Sequence, residues 1–210
     1  MHRHVLGIVG IGLLALGVFG LLSKSKPPPA SADILGKVGD FQFTERSGRT
    51  ISREDLAGKI WVASFIFTCC TQSCPQIAGT MAELQKEFAD NDDVVLVSFS
   101  VDPKRDTPQV LQEFANRFGA DNERWLFLTG DQDKMYSFIR ETFLLAVHEN
   151  EGNARTPGNE VTHSSKLVLV DRHGQIRGYF DGRRVDEEGR PINNVNKIKA
   201  KVAELLEEQP

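Results

Sequence analysis

The chain has 210 residues, with 25 Lys plus Arg against 29 Asp plus Glu and a formal net charge of -4. That balance lacks both the basic surplus of a nucleic-acid surface and the charge excess of a disordered chain, so neither is expected. The length suits one domain of ordinary size with an appendage, and three cysteines are too few for a disulfide framework.

The appendage comes first. Residues 1–4 are a short start carrying His2, Arg3 and His4. Val5 to Leu22 is an unbroken run of 18 apolar or glycine residues, long enough to cross a bilayer and a little long for a cleaved signal core. Residues 23–35 form a Pro/Ser-rich linker, stiffened by Pro27-Pro28-Pro29, in which Ala30-Ser31-Ala32 fits a small-residue cleavage site. The expectation is a transmembrane anchor or signal segment over 5–22, with residues 36–208 exported as a folded domain.

Within that domain, Gly36 to Leu56 reads as a short hairpin: Phe41 and Phe43 alternate, Ser47-Gly48 turns, and Thr50-Ile51 returns. Ser52 with Asp55 three residues on can cap a brief turn. Lys59 to Phe67 is a near-continuous apolar strand, the pattern of a central strand covered on both faces. A helix is predicted from about Pro75 to Asp90, with the proline in its first turn. Val94 to Val101 is a second buried strand. Thr107 and Pro108 then supply a cap and a first helical position, and Val110, Leu111, Phe114 and Phe118 give the apolar stripe. Trp125 to Thr129 is a third strand, and Asp131 opens a helix carrying Met135, Phe138, Ile139 and Phe143. Glu149 to Glu160 is polar and glycine-rich, hence a loop. Lys166 to Val170 and Gln175 to Phe180 flank a hairpin turn at Arg172-His173-Gly174, and Val195, Ile198, Val202, Leu205 and Leu206 mark a terminal helix. Alternating strands and helices closed by a hairpin and a helix predict a thioredoxin-like three-layer α/β/α domain with a mixed central sheet.

All three cysteines lie in Cys69-Cys70-Thr71-Gln72-Ser73-Cys74, where the first long strand gives way to a helix. A helix N-terminus carries partial positive charge, so thiolate is expected to be favoured there. With Cys74 on the first turn and Cys70 just before it, both sulfurs can converge on one point, to form a disulfide or to hold one soft metal ion. Cys69 should face the other way, as strand neighbours do. Of the five histidines, His2 and His4 precede the apolar run and His173 sits in a turn. That leaves His148 and His163, and His163 stands at the strand end where ligand sites of open α/β sheets gather. Asp102 and Asp106 read as turn and helix-cap chemistry.

Three blocks in order carry a resemblance: Phe67-Thr68-x-Cys70-x-x-x-Cys74-Pro75, then Val101-Asp102-Pro103-x-Arg105-Asp106-Thr107, then Val161-x-His163-Ser164 entering a strand. From about Gly36 to Leu206 the chain resembles the Sco/SenC family, copper-binding thioredoxin-fold proteins of respiratory oxidase assembly. The resemblance implies copper, as Cu(I), Cu(II) or both, held by Cys70, Cys74 and His163. It further implies a metallochaperone rather than an enzyme, supplying the binuclear copper centre of cytochrome c oxidase, or else thiols that reduce the cysteines of that centre beforehand. The partners implied are the copper-site subunit of that oxidase, other copper chaperones and a thioredoxin-like reductant. The domain would then stand on the periplasmic side of a bacterial inner membrane. Where the family usually has Cys-Pro-Asp-x-Cys-Pro, this chain has Thr71-Gln72 in place of Pro-Asp, and Cys69 is a further departure.

Copper also suits the donors chemically. Soft thiolates select Cu(I) and imidazole accepts both oxidation states, whereas structural zinc prefers four closed ligands, of which Cys69 could be the fourth. A peroxiredoxin-type peroxidase needs Pro-x-x-x-Thr-x-x-Cys, and Phe67 stands where that proline belongs. A general disulfide oxidoreductase usually has Cys-x-x-Cys with a proline before the later strand, where this chain has Thr162-His163. The remaining alternatives are a thiol-disulfide reductase using Cys70 and Cys74 as its catalytic pair, or a redox or copper sensor.

Overall fold

The computed structural model describes residues 34–71, 73–186 and 188–208. The apolar run Val5 to Leu22 lies outside them, and among the described residues no helix is long and apolar enough to cross a membrane.

The strands are β1 (Gly36–Lys37), β2 (Gln42–Glu45), β3 (Thr50–Ser52), β4 (Ile60–Ile66), β5 (Val94–Ser100), β6 (Trp125–Thr129), β7 (Val147–Glu149), β8 (Val161–His163), β9 (Lys166–Val170) and β10 (Gln175–Asp181). The helices are α1 (Cys74–Glu87), α2 (Pro108–Arg117), α3 (Gln132–Phe143) and α4 (Val195–Glu207). Eight strands form one sheet in the order β1-β10-β9-β4-β5-β6-β2-β3, and β7 and β8 form a separate two-stranded ribbon. The centre is parallel, β4 with β5 and β5 with β6, while β9 runs antiparallel to β4. The sheet is mixed, as expected.

Every residue of β4 is buried, which explains its unbroken apolar run: helices cover both faces. One face carries Trp61, Phe65 and Phe99, against which α3 packs Phe138 and Phe143. On the other, Ser64 and Ser98 share a 2.7 Å hydrogen bond and the Trp125 indole donates to Ser98 at 2.9 Å. Polar groups this deep are tolerated because each finds a partner. Phe127 shares that face, and α2 meets it through Phe114 at 6.2 Å between ring centroids.

Two helix starts follow the sequence. The Thr107 side chain accepts from the Val110 amide with Pro108 at the first position, and the Asp131 side chain accepts from the Lys134 amide. α1 ends at Glu87, short of Asp90. The expected hairpin over 36–56 is narrower, comprising β2 and β3 alone; Gly48 turns it at φ +86°, a region that favours glycine. β1 instead joins β10 at the opposite sheet edge. The loop expected over 149–160 is also partly ordered, since Glu149 belongs to β7 and pairs with Val161 of β8.

Candidate metal centre

β4 ends at Ile66, the chain turns at Thr68 and Cys69, and α1 begins with Cys74 followed by Pro75. The Cys70 amide donates to the Phe67 carbonyl at 3.2 Å, which bends the chain back over the strand end. Cys74 is fully buried and Cys70 is 9% exposed, neither in a disulfide, whereas Cys69 is exposed. Cys69 does stand apart from Cys70, but in the turn beyond β4, so strand alternation is not the reason.

His163 ends β8. Its register opposite Val147, a buried residue, turns it inward, while His148 pairs with Thr162 on the other side of the ribbon and is exposed. His173 is exposed in its hairpin turn. The structure therefore brings His163 to the cysteines and leaves His148 and His173 out. The ligand atoms of Cys70, Cys74 and His163 all lie within 4.8 Å of one another, and they are the metal-ligand cluster found among the described residues. The Cys74 sulfur is 3.4 Å from His163 Nε2.

The histidine tautomer follows from its other nitrogen. His163 Nδ1 is 3.0 Å from the Ser164 carbonyl oxygen, which can only accept, so Nδ1 carries the proton. Nε2 is then left with a lone pair aimed at the sulfur. An outer hydrogen bond of this kind fixes a ligating imidazole and raises its basicity. The Phe67 ring stands edge-on to the imidazole at 5.6 Å, limiting its tilt.

One expectation is reversed. Burial pushes the Cys74 thiol well above its ordinary pKa, with the Cys70 thiol adding to the rise; a hydrogen bond from the Phe67 backbone pulls only weakly the other way. The helix-end field does not prevail where desolvation is complete. Cys74 is therefore a thiol at neutral pH, its S–H directed at Nε2, and it becomes thiolate when a cation replaces that proton.

Neighbouring residues assigned to turns have larger duties. Asp106 does not cap α2; Thr107 does. The Asp106 carboxylate is buried and accepts from the Thr68 hydroxyl at 2.6 Å, the Thr68 amide at 3.2 Å and the Ser100 hydroxyl at 2.6 Å. It thus braces the cysteine turn against the end of β5, and burial raises its pKa against those three bonds. Arg105 ion-pairs with Asp102, and its Nη1 also reaches Glu160 at 2.7 Å. Asn150, unremarked in the sequence, accepts from Thr162 and donates to the Asn159 carbonyl, both at 2.7 Å. Only the Asp-Pro-x-Arg-Asp block gave a signal for any of these. Beside the Cys70 thiol a cavity of about 150 Å³ is bordered by Cys70, Ser73, Gly158, Thr162 and His163.

The donor set suits one soft metal ion. Donors about 2.0–2.3 Å from a shared ion at wide angles stand roughly 3.5–4 Å apart, within the spread found here. Two sulfurs and one nitrogen leave the coordination open on the cavity side.

Comparison with known proteins agrees with this arrangement. The family model described as SCO1/SenC matches residues 31–200. The SCO1 protein homolog of Bacillus subtilis is 36% identical over 148 residues, covering 70% of this chain and 74% of the relative. The solved structure of BsSco is described as a member of the Sco family of cytochrome c oxidase assembly proteins with a disulfide switch. It superposes with a TM-score of 0.70 at 32% identity, over 84% of this chain and 98% of that one. Yeast Sco1 with copper bound shares the fold, with a TM-score of 0.64 at 24% identity over 83% and 91% of the two chains. With the α/β thioredoxin-like architecture, the two cysteines and the histidine in one cluster, and a family match over most of its length, the chain belongs to the SCO1/SenC family.

Proposed function

We propose that the protein is a metallochaperone that carries one copper ion on Cys70, Cys74 and His163 and hands it to the binuclear copper centre of cytochrome c oxidase. The convergence of two sulfurs and an unprotonated imidazole nitrogen within 4.8 Å carries this reading. Sulfur donors prefer Cu(I) and the imidazole tolerates Cu(II), so the site accepts either oxidation state. Three ligands and an open side suit transfer, because an acceptor ligand can join before a donor ligand leaves. The family relationship and the oxidase-assembly role described for BsSco support the recipient.

The proposal extends to location. Val5 to Leu22 anchors the chain, residues 23–35 space the domain from the bilayer, and the domain works on the periplasmic side of a bacterial inner membrane. A thioredoxin-like partner keeps the thiols reduced there, since a Cys70–Cys74 disulfide would remove both sulfur donors.

A second reading is favoured by one observation, the side-chain contact between the Cys70 and Cys74 thiols. Two adjacent thiols can reduce a disulfide in the oxidase copper site: two electrons and two protons pass to the recipient, and a Cys70–Cys74 disulfide remains. Incubation with a copper-site fragment of the oxidase separates the readings. Copper-loaded protein transferring metal to the reduced fragment supports delivery. Rapid reduction of the oxidised fragment by metal-free protein, with no transfer from loaded protein, would assign the reductase role instead.

A further inference from the structure

We propose that Arg105 is a positioning residue for the metal centre, holding the β7–β8 ribbon, and with it His163, against the two sulfurs through Glu160. The proposal rests on the reading of Cys70, Cys74 and His163 as copper ligands.

The two halves of the centre are held by different means. Cys70 follows the end of β4, a central strand of the main sheet, and Cys74 opens α1. His163 belongs to a strand that pairs with β7 alone, outside that sheet. Among the described residues no ladder bond therefore fixes the imidazole relative to the thiols. Downstream, Ser164 and Ser165 connect it to β9. Upstream, the hold comes from side chains.

Glu160 immediately precedes β8, and its side chain is only 12% exposed. Arg105 Nη1 donates to it at 2.7 Å, and Arg105 Nε bonds the Asp102 carboxylate, itself 6% exposed, just beyond the end of β5. The guanidinium thus joins the β5 end to the entrance of β8. The planar fork of arginine suits two carboxylates at once in a way an ammonium does not. Lys104 adds a longer, exposed contact of 3.6 Å to Glu149 on β7, worth little alone. The next residue, Asp106, braces the other half through Thr68. Residues 102–106 therefore grip the cysteine turn and the histidine ribbon from one loop.

Selectivity for the histidine half gives the test. In the full chain, metal-free and reduced, Arg105→Gln and Glu160→Gln should speed amide hydrogen exchange at 147–149 and 161–163 by about tenfold, a local opening easier by roughly 1.4 kcal/mol. Exchange in β4 and α1 should stay as in the parent. Cu(I) affinity, read by competition with a chromophoric chelator, should fall about 10-fold to 100-fold, the usual cost of losing an outer support. The Cys70–Cys74 reduction potential should not move, and Arg105→Lys should recover part of the affinity. Unchanged ribbon exchange in both variants would overturn the proposal. So would a shift in the cysteine potential that parallels the affinity loss, since that marks general loosening. Should the parent protein bind no copper, the copper reading fails on its own, while ribbon exchange still decides whether the clamp exists.

Discussion

Gly158 offers the sharpest quantitative test of how the loop ahead of His163 seats on the cysteine turn. It is buried at φ +80°, and a Cβ there would lie 2.5 Å from the Thr71 hydroxyl oxygen, 3.0 Å from its methyl and 3.2 Å from its Cβ. Gly158→Ala therefore has two separable costs. Holding alanine in the left-handed region costs about 1–2 kcal/mol. Crowding costs about 1–3 kcal/mol in a packed interior, and the low end applies because Thr71 is exposed and can yield. The sum is about 2–3 kcal/mol. Thr71→Ala removes the two nearest atoms and leaves the backbone term, so Gly158→Ala should cost about 1 kcal/mol less in that background. Denaturant unfolding of the reduced, metal-free protein reads all four corners of the cycle. A coupling near zero would refute the contact, and a total loss under about 0.5 kcal/mol would refute the left-handed backbone as well.

Asp106→Ala should destabilise the protein by about 3 kcal/mol, because it strands the Ser100 hydroxyl and the Thr68 amide and hydroxyl near the core; a loss under about 1 kcal/mol by denaturant unfolding would contradict the brace. Copper uptake near pH 7 should release at least one proton per ion, since the buried Cys74 thiol is protonated beforehand; calorimetry in buffers of differing ionisation enthalpy measures this, and zero release would contradict a neutral thiol. The ion pair with Arg177 holds the Glu208 carboxyl below its ordinary pKa. Its stabilising contribution is thus fully present above the unfolded value of about 4.3 and lost as pH falls through the lower folded value. Glu208→Gln should lower the melting temperature at pH 7, and the difference should shrink below roughly pH 4; a constant difference across that range would rule out the linkage.

Strongly periodic stretches were legible in the sequence. The run Lys59 to Phe67 reads as a central strand because from Ile60 onward it is apolar on both faces save for Ser64. Thr107-Pro108 and Asp131 start helices through local chemistry that needs no tertiary partner. Cys70, Cys74 and His163 were legible for a different reason, since their motif blocks carry a family likeness, and the structure brings the three together. What stayed hidden depends on burial or on distant pairing. The β7–β8 ribbon is hidden by the loop-like composition of Glu149 to Glu160, and only the Val147–His163 register tells the inward histidine from the outward one. The state of Cys74 is not legible, because the field of a helix end is local and readable whereas complete desolvation is a property of the fold. Asp106 looked like a cap because the sequence cannot show a carboxylate turning back towards Thr68, 38 residues earlier.

Metal content decides the central claim most directly. Protein purified without oxygen, reduced and loaded with Cu(I), should hold one copper per chain, and Cys70→Ser, Cys74→Ser and His163→Ala should each lose tight binding. An unchanged stoichiometry and affinity in His163→Ala would remove the histidine from the centre and contradict the three-ligand site.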